Sequence, residues 1–296
     1  MKQLRYFTAL ARHGHFGRAA EACAISQPAL SLQMKELEAT LGASLIERGA
    51  RQVRLTSLGE ALAERARDIL RAVDELDDLA RAALQPMTGR LRLGVIPTVA
   101  PYLLPAVIRI MAARTPGIEP LPREAITAKL VEGLLAGQLD AALVALPVSE
   151  PALHEEALFS EEFVLVRPLA DADRPVPGPE MLPSMRLLLL EEGHCFRDQA
   201  LSFCTGPGPE PRDLMEGSSL TTLVQMVGAG IGVTLIPEMA VEIEARSAPV
   251  AIARLSAPRP MRSIGMVWRR TNPLAGQLAH VARLVREAAT GIPATG

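Results

Sequence analysis

The sequence predicts an α/β body preceded by a small, separate helical head, and three observations carry that prediction. The chain has 296 residues, too many for one compact core and enough for two or three domains. From Leu91 onward, short apolar runs of strand type alternate with helical patterns, as in a layered α/β unit with a mostly parallel sheet. Before that point, short helical stripes and one long heptad-like run stand by themselves. Apolar residues make up 49% and charged residues 22% of the chain, which excludes collagen-like, mucin-like and disordered classes. No apolar stretch reaches the roughly 18 residues of a membrane helix. The first residues lack the apolar core of a secretion signal, so a cytoplasmic chain without membrane contact is expected. Three cysteines are too few for a disulfide scaffold.

Charge is divided unevenly. Residues 1–56 hold eight basic side chains against four acidic ones, and the remaining 240 residues hold 23 against 29. A basic head on an acidic body points to a polyanionic partner at one end only. Within the head, Leu4, Phe7, Leu10 and Ala11 give a first helix its buried stripe, which His13-Gly14 ends. Residues 18–23 form a second short helix. Ala24-Ile25-Ser26 makes a tight turn, with Ser26 placed as N-cap and Pro28 in the first turn of a third helix. That helix runs over about 27–41, with Leu30, Met34 and Leu37 facing inward. Two short helices joined by such a turn form a helix-turn-helix. Residues 45–55 read as two short strands around a turn, a wing.

From Ser57 the spacing changes. Leu58, Leu62, Ala66, Ile69, Val73, Leu76, Ala80 and Ala83 recur at steps of four and three, with charges between them. The pattern predicts a long helix with one apolar seam. Its regularity favours pairing with a partner helix over lying on its own domain. Residues 86–89 break the helix and serve as a hinge. The body comes next: strands at 91–96, 118–121 and 139–146 with helices at 101–113 and 127–136, and a second set with strands at 163–166, 186–190, 214–215 and 233–236. A short helix after Gly193, a helix over 220–227, a strand over 264–267 and a last helix over 274–288 complete it. Two such sets joined by a crossing and a return predict two subdomains around a cleft, the periplasmic-binding-protein plan. The boundaries read as 1–56 for the head, 57–88 for the linker helix and 89–296 for the body. Within the body, 89–160 with 267–296 form one subdomain and 161–266 the other.

The head resembles the winged helix-turn-helix of LysR-type transcriptional regulators. The matching residues are Phe7, Arg18-Ala19-Ala20, Ser26-Gln27-Pro28-Ala29-Leu30-Ser31, Gln33, Leu37-Glu38, Leu41-Gly42, Leu45, Arg48 and Leu55-Thr56-Gly59. The resemblance extends through the linker helix and the two-part body. It implies a homo-oligomer that binds double-stranded operator DNA and works with RNA polymerase; the linker seam plus a separate sensor domain permits two interfaces and hence a dimer of dimers, with a simple dimer the open alternative. Ser26, Gln27, Pro28, Ser31 and Gln33 open the third helix with groups suited to base edges or phosphates. Lys35, Arg48, Arg51, Arg54 and Thr56 are placed for the flanking backbone; for Lys35, beside Glu36 and Glu38, a merely solvated surface is an equal reading.

A second motif, Gly193-His194-Cys195-Phe196-Arg197-Asp198-Gln199 with Phe203-Cys204 beyond it, resembles that of the peroxide-responsive members of the family. The resemblance implies hydrogen peroxide as the signal, Cys195 as the sensing thiol and Cys204 as its disulfide partner. It further implies a pocket drawn from Thr98, Thr127, His194, Arg197 and Asp198. The stretches 96–99 and 124–127 also match. Val224 stands where an arginine is expected, and Arg269 is the candidate to compensate. Leu32, Gly49 and the Pro-rich loop 207–211 are further departures, which bear on operator choice and on the oxidised loop.

The chemistry fits these residue types. A sensing thiol must ionise, be reachable and sit beside donors, and Cys195 lies at a helix start with His194 and Arg197 adjacent. If the segment to Cys204 is helical, its rise is about 13 Å, against about 4.4–6.8 Å between the Cα atoms of a disulfide. Bond formation then requires the segment to unwind. Other readings stay open: buried apolar thiols for either cysteine, and simple helix capping for Thr98 and Thr127. Cys23 reads as core. A zinc site lacks a fourth ligand and CxxC spacing. Gly228–Gly232 comes after a helix rather than a strand, so no dinucleotide cofactor is expected. Three functions compete: a peroxide-switched regulator, a regulator whose cleft binds a small effector, and a thiol enzyme. The enzyme reading fails for want of a CxxC unit and because it leaves the basic head without a role.

Overall fold

The structure, a computed structural model, describes residues 1–47, 53–84, 87–178, 181–182, 185–205, 214–257 and 259–291. Two compact units divide the chain, residues 1–80 and 81–296. In the first, α1 (Lys2–His13), α2 (Phe16–Ala22) and α3 (Gln27–Leu41) enclose a core that includes Phe7, Leu10, Ala19, Leu30, Met34 and Leu37. Side chains cap the short helices as their sequences require. Ser26 Oγ accepts from the Ala29 amide at the start of α3. His15 Nδ1 accepts from the Gly17 and Arg18 amides at the start of α2, so α2 begins two residues earlier than its apolar pattern predicts. The turn between α2 and α3 takes Ala24 to a φ of +54°, a left-handed conformation costing a non-glycine residue about 1–2 kcal/mol.

The base of the wing is tied to α3. The Glu38 carboxylate accepts from the Leu45 and Ile46 amides at 2.7 and 3.2 Å, and Ile46 bridges Leu55 in antiparallel sense. The tip, with Arg48 and Arg51, lies outside the described residues. The linker helix α4 (Ser57–Leu84) starts against this base. Thr56 Oγ1 donates to the Ser44 carbonyl and accepts from the Gly59 amide. A Cβ at Gly59 would collide with the Leu45 carbonyl oxygen, so only glycine permits the approach. Along the predicted seam of α4, Leu58, Ile69 and Leu76 remain exposed in the single chain.

In the second unit the chain runs β1 (Gly89–Val95), α5 (Ala100–Arg114), β2 (Ile118–Glu124), α6 (Thr127–Leu135), β3 (Ala141–Leu146) and β4 (Leu153–Pro168). It continues with β5 (Leu187–Leu190), α7 (Cys195–Thr205), β6 (Leu214–Gly217), α8 (Leu220–Gly228), β7 (Val233–Pro237), α9 (Val241–Glu244), β8 (Val250–Arg254), β9 (Met261–Arg269) and α10 (Ala275–Thr290). The strands form one sheet in the order β2-β1-β3-β9-β4-β7-β5-β6, with β8 also on β4.

The sheet is more mixed than its alternation predicts. Pairs linked through helices are parallel: β1 with β2 and β3, and β5 with β6 and β7. Every pair that involves β4 or β9 is antiparallel, because these strands carry the chain from one half of the sheet to the other and back. β4 starts ten residues before the predicted Phe163, and β8 is a strand that the apolar pattern does not predict. The two sets of crossovers place their helix starts at the carboxyl ends of β1 and β5, where an open α/β sheet binds its ligands.

Candidate sensor pocket and nucleic-acid interface

A small cleft forms where the two halves of the sheet meet. It is lined by Ile96, Pro97 and Thr98 after β1, by Ile126 and Thr127 at the start of α6, and by His194, Cys195 and Phe196 at the start of α7. Its empty volume, open mouth included, is about 170 Å³. The starts of α6 and α7 line it, and helix N-termini favour negative charge developing nearby. Gly193, at a φ of +92°, turns the chain into α7, and a Cβ there would press on Ile126 Cδ1 at 3.0 Å.

Neither threonine is a helix cap; α5 and α6 have Val99 and Ile126 in that position, without side-chain capping. Thr98 is held by Arg262, at the start of β9. Arg262 Nη1 donates to Thr98 Oγ1 at 2.7 Å and Nη2 to the Thr98 carbonyl at 3.0 Å. Its Nε donates to Glu161 Oε1 at 2.8 Å, and Glu161 Oε2 accepts from the Met239 amide. The Arg262 side chain is fully buried, and its guanidinium carbon lies 5.5 Å from the centre of the Phe196 ring. The first turn of α5 is tied down a second time. Tyr102 Oη donates to Glu244 Oε1 at 2.7 Å, which also accepts from Thr221. Burial first, and Glu244 second, hold the Tyr102 phenol far above its ordinary range.

Thr127 differs from Thr98. Its Oγ1 is buried, and among the described residues it has no hydrogen-bond partner. Leaving such a hydroxyl unsatisfied costs about 1–3 kcal/mol. A small polar guest beside Cys195 would recover that cost. Burial lowers the His194 pKa from its ordinary 6.5, against the opposing pull of Glu191 and Glu124, so the ring is neutral near pH 7 and able to accept a proton.

The structure therefore brings together Cys195, His194, Thr98 and Thr127. It separates the other candidates from them. Arg197 points toward the sheet, donating to the Leu190 carbonyl and to Glu216 at 2.9 and 2.6 Å. Asp198 is exposed on the outer side of α7. Arg269 is buried at the far end of β9, donating to the Leu134 and Leu139 carbonyls; it lies seven residue steps along the strand from Arg262, about 23 Å. Val224 is buried in the apolar core rather than in the cleft lining. The guanidinium beside the pocket is Arg262, which sequence reasoning misses. Its signal is a basic residue in a strand whose inward positions are otherwise apolar.

Cys195 and Cys204 lie on one continuous helix. Nine residues at 1.5 Å separate their Cα atoms by about 13 Å, twice the span of a disulfide. Among the described residues, no group of three His, Cys, Asp or Glu side chains is placed to hold a metal ion.

On the head, Gln27, Pro28, Lys35 and Arg54 are exposed and Ser31 is half-buried. Ser26 and Thr56 use their hydroxyls for the contacts already described. Gln33 Nε2 is bound to Glu36 at 2.7 Å.

Residues 1–60 match the model of the bacterial regulatory helix-turn-helix protein, lysR family, and residues 84–290 match that of the LysR substrate binding domain. The chain belongs to the LysR family. Members of this family are DNA-binding transcriptional regulators, not enzymes. The chain is 43% identical, over 99% of its length and 95% of the relative's, to a "Probable hydrogen peroxide-inducible genes activator" of Streptomyces viridosporus. It is 39% identical to the DNA-binding transcriptional dual regulator OxyR of Escherichia coli, covering 97% of this chain and 94% of that one. Among solved structures, full-length OxyR of Pseudomonas aeruginosa, carrying a cysteine-to-aspartate change, superposes with a TM-score of 0.75 at 36% identity, covering 96% and 94% of the two chains. An OxyR cysteine mutant of Corynebacterium glutamicum with hydrogen peroxide bound gives 0.68 at 36% identity, covering 97% and 92%. Among the described residues of this LysR-type chain, no helix is long and apolar enough to cross a membrane.

Proposed function

We propose that this LysR-type regulator senses hydrogen peroxide at Cys195 and transmits the signal through a Cys195–Cys204 disulfide. The observation that carries the reading is the unsatisfied Thr127 hydroxyl beside Cys195, facing a cleft whose other threonine is fixed by Arg262. The Cys195 sulfur attacks one peroxide oxygen, the O–O bond breaks, and the departing hydroxide leaves as water with one proton. His194 is placed to relay that proton. The product is a sulfenic acid. The Cys204 thiol then attacks the oxidised sulfur, water leaves, and the S–S bond forms as α7 unwinds. Cytosolic thiols reduce the strained bond and reset the switch.

In this reading residues 1–56 bind operator DNA, 57–88 pair with a second copy through the exposed Leu58, Ile69 and Leu76, and 89–296 sense the signal. Gln27 and Ser31 read bases, Arg48, Arg51 and Arg54 meet phosphates, and RNA polymerase is the partner at the promoter.

The test is thiol counting by mass on the full chain after one equivalent of hydrogen peroxide. Wild type should lose two free thiols as a Cys195–Cys204 disulfide. Cys204→Ser should stop at a dimedone-reactive sulfenic acid on Cys195, and Cys195→Ser should not react. An unmodified Cys195 in wild type would reject the proposal.

A further inference from the structure

The middle of α3 carries a feature that base reading by Gln27 and Ser31 does not absorb. Leu32 is 56% exposed. Among the described residues of α1, α2 and α3, the only other exposed large apolar side chain is Leu41, less exposed than Leu32 and the last residue of its helix. At 100° per residue, Leu32 lies about 190° around α3 from the buried Leu30, Met34 and Leu37 stripe. It thus lies on the face opposite the core. Pro28, one turn before it, and Ala29 are also exposed, and together they form a short apolar ridge.

The outward face of the second helix of a helix-turn-helix is the one that enters the major groove. That groove presents hydrogen-bonding edges at every base pair but only one apolar group, the 5-methyl of thymine. A polar side chain at the centre of this face would be served by any base. A leucine there is served by thymine alone. The head's excess of basic residues brings it to DNA without sequence preference, which leaves Leu32 free to discriminate.

We propose that Leu32 is a specificity-determining residue whose apolar tip contacts the 5-methyl group of a thymine in each operator half-site. The inference rests on the DNA-binding reading, and one experiment separates the two. The full-length protein selects its operator from a random duplex library. The selected duplex is then resynthesised with deoxyuridine in place of thymidine, which deletes only the methyl groups. Wild type should bind the uracil duplex about fourfold more weakly per contacted methyl, the worth of burying one methyl-sized group. Leu32→Ala should bind both duplexes alike, at the level of wild type on uracil, and Leu32→Met should retain the discrimination. Equal binding of both duplexes by wild type would overturn the inference and leave DNA binding intact. So would an undiminished uracil effect in Leu32→Ala, which would assign the methyl contact elsewhere. Failure to select any operator would overturn the DNA-binding reading itself, and the inference with it.

Discussion

The two walls of the pocket are built in opposite ways. The wall bearing Thr98 is anchored to the sheet: Arg262 fixes the threonine from β9, Glu161 fixes Arg262 from β4, and Glu244 holds Tyr102 one turn further along α5. The wall bearing Cys195 is a single helix of 11 residues. It is pinned at its start by Phe196, which packs against Phe163 at 4.8 Å and under Arg262, and by Arg197 on Glu216. In the proposed switch the first wall positions a peroxide and the second gives way after reacting with it, which places the strongest contacts on the side that does not carry the sulfur.

Removing an anchor of the fixed wall should have the largest effect. Arg262→Ala leaves the Glu161 carboxylate buried without its charge partner, and urea unfolding should show a loss of about 3–5 kcal/mol. Arg197→Ala, on the yielding wall, should cost visibly less. A smaller effect is expected where the yielding wall is loosened. Phe196→Leu keeps much of the volume, so stability should fall by at most about 1.5 kcal/mol. Because the reduced helix is then easier to unwind, the disulfide should become harder to reduce, with a potential lower by up to about 30 mV. A glutathione redox titration measures it, and an unchanged potential would mean that Phe196 does not restrain α7.

Thr127→Val separates function from stability within the pocket. The unsatisfied hydroxyl disappears, so the reduced protein should be unchanged or more stable by about 1 kcal/mol. Oxidation of Cys195 in a stopped-flow peroxide assay should nevertheless slow by about tenfold, the equivalent of one lost hydrogen bond of about 1.4 kcal/mol in the transition state. The smallest expected effect is a pH dependence. The His194 pKa is lowered in the folded chain, so the unfolded chain takes up the proton first as pH falls. Stability contributed by the neutral ring is present above about pH 6.5 and declines below it, levelling off once the folded ring is protonated. Comparing urea midpoints at pH 7.5 and 5.5 should show a shift that His194→Asn reduces.

Sequence is most informative where local chemistry decides structure. α3 is legible because Ser26, Pro28 and the Leu30, Met34, Leu37 stripe lie within one segment. The placement of His194 and Cys195 at the cleft is legible because the two are adjacent at the start of a helix. The anchoring of Thr98 is not legible. Glu161 and Arg262 meet as cross-strand neighbours of β4 and β9 although 101 residues apart, and no local pattern links them. The first part of β4 escapes for a related reason. Glu155, Glu156, Glu161 and Glu162 interrupt its apolar alternation, yet Glu161 is buried on Arg262 and Glu155 accepts from the Val148 and Ser149 amides. Sequence points to Arg269 instead of Arg262 because spacing along a strand does not reveal which end reaches the cleft.

The most direct test of the contrast between the walls is amide hydrogen exchange, monitored through the reaction with one equivalent of hydrogen peroxide. Protection across residues 195–205 should be lost as the disulfide forms, while β1, β4, β9 and the first turn of α5 keep theirs. Trp268, the chain's single tryptophan and buried on β9, should accordingly keep its fluorescence. A disulfide formed with α7 still protected, or with β9 and the start of α5 loosened alongside it, would contradict the account.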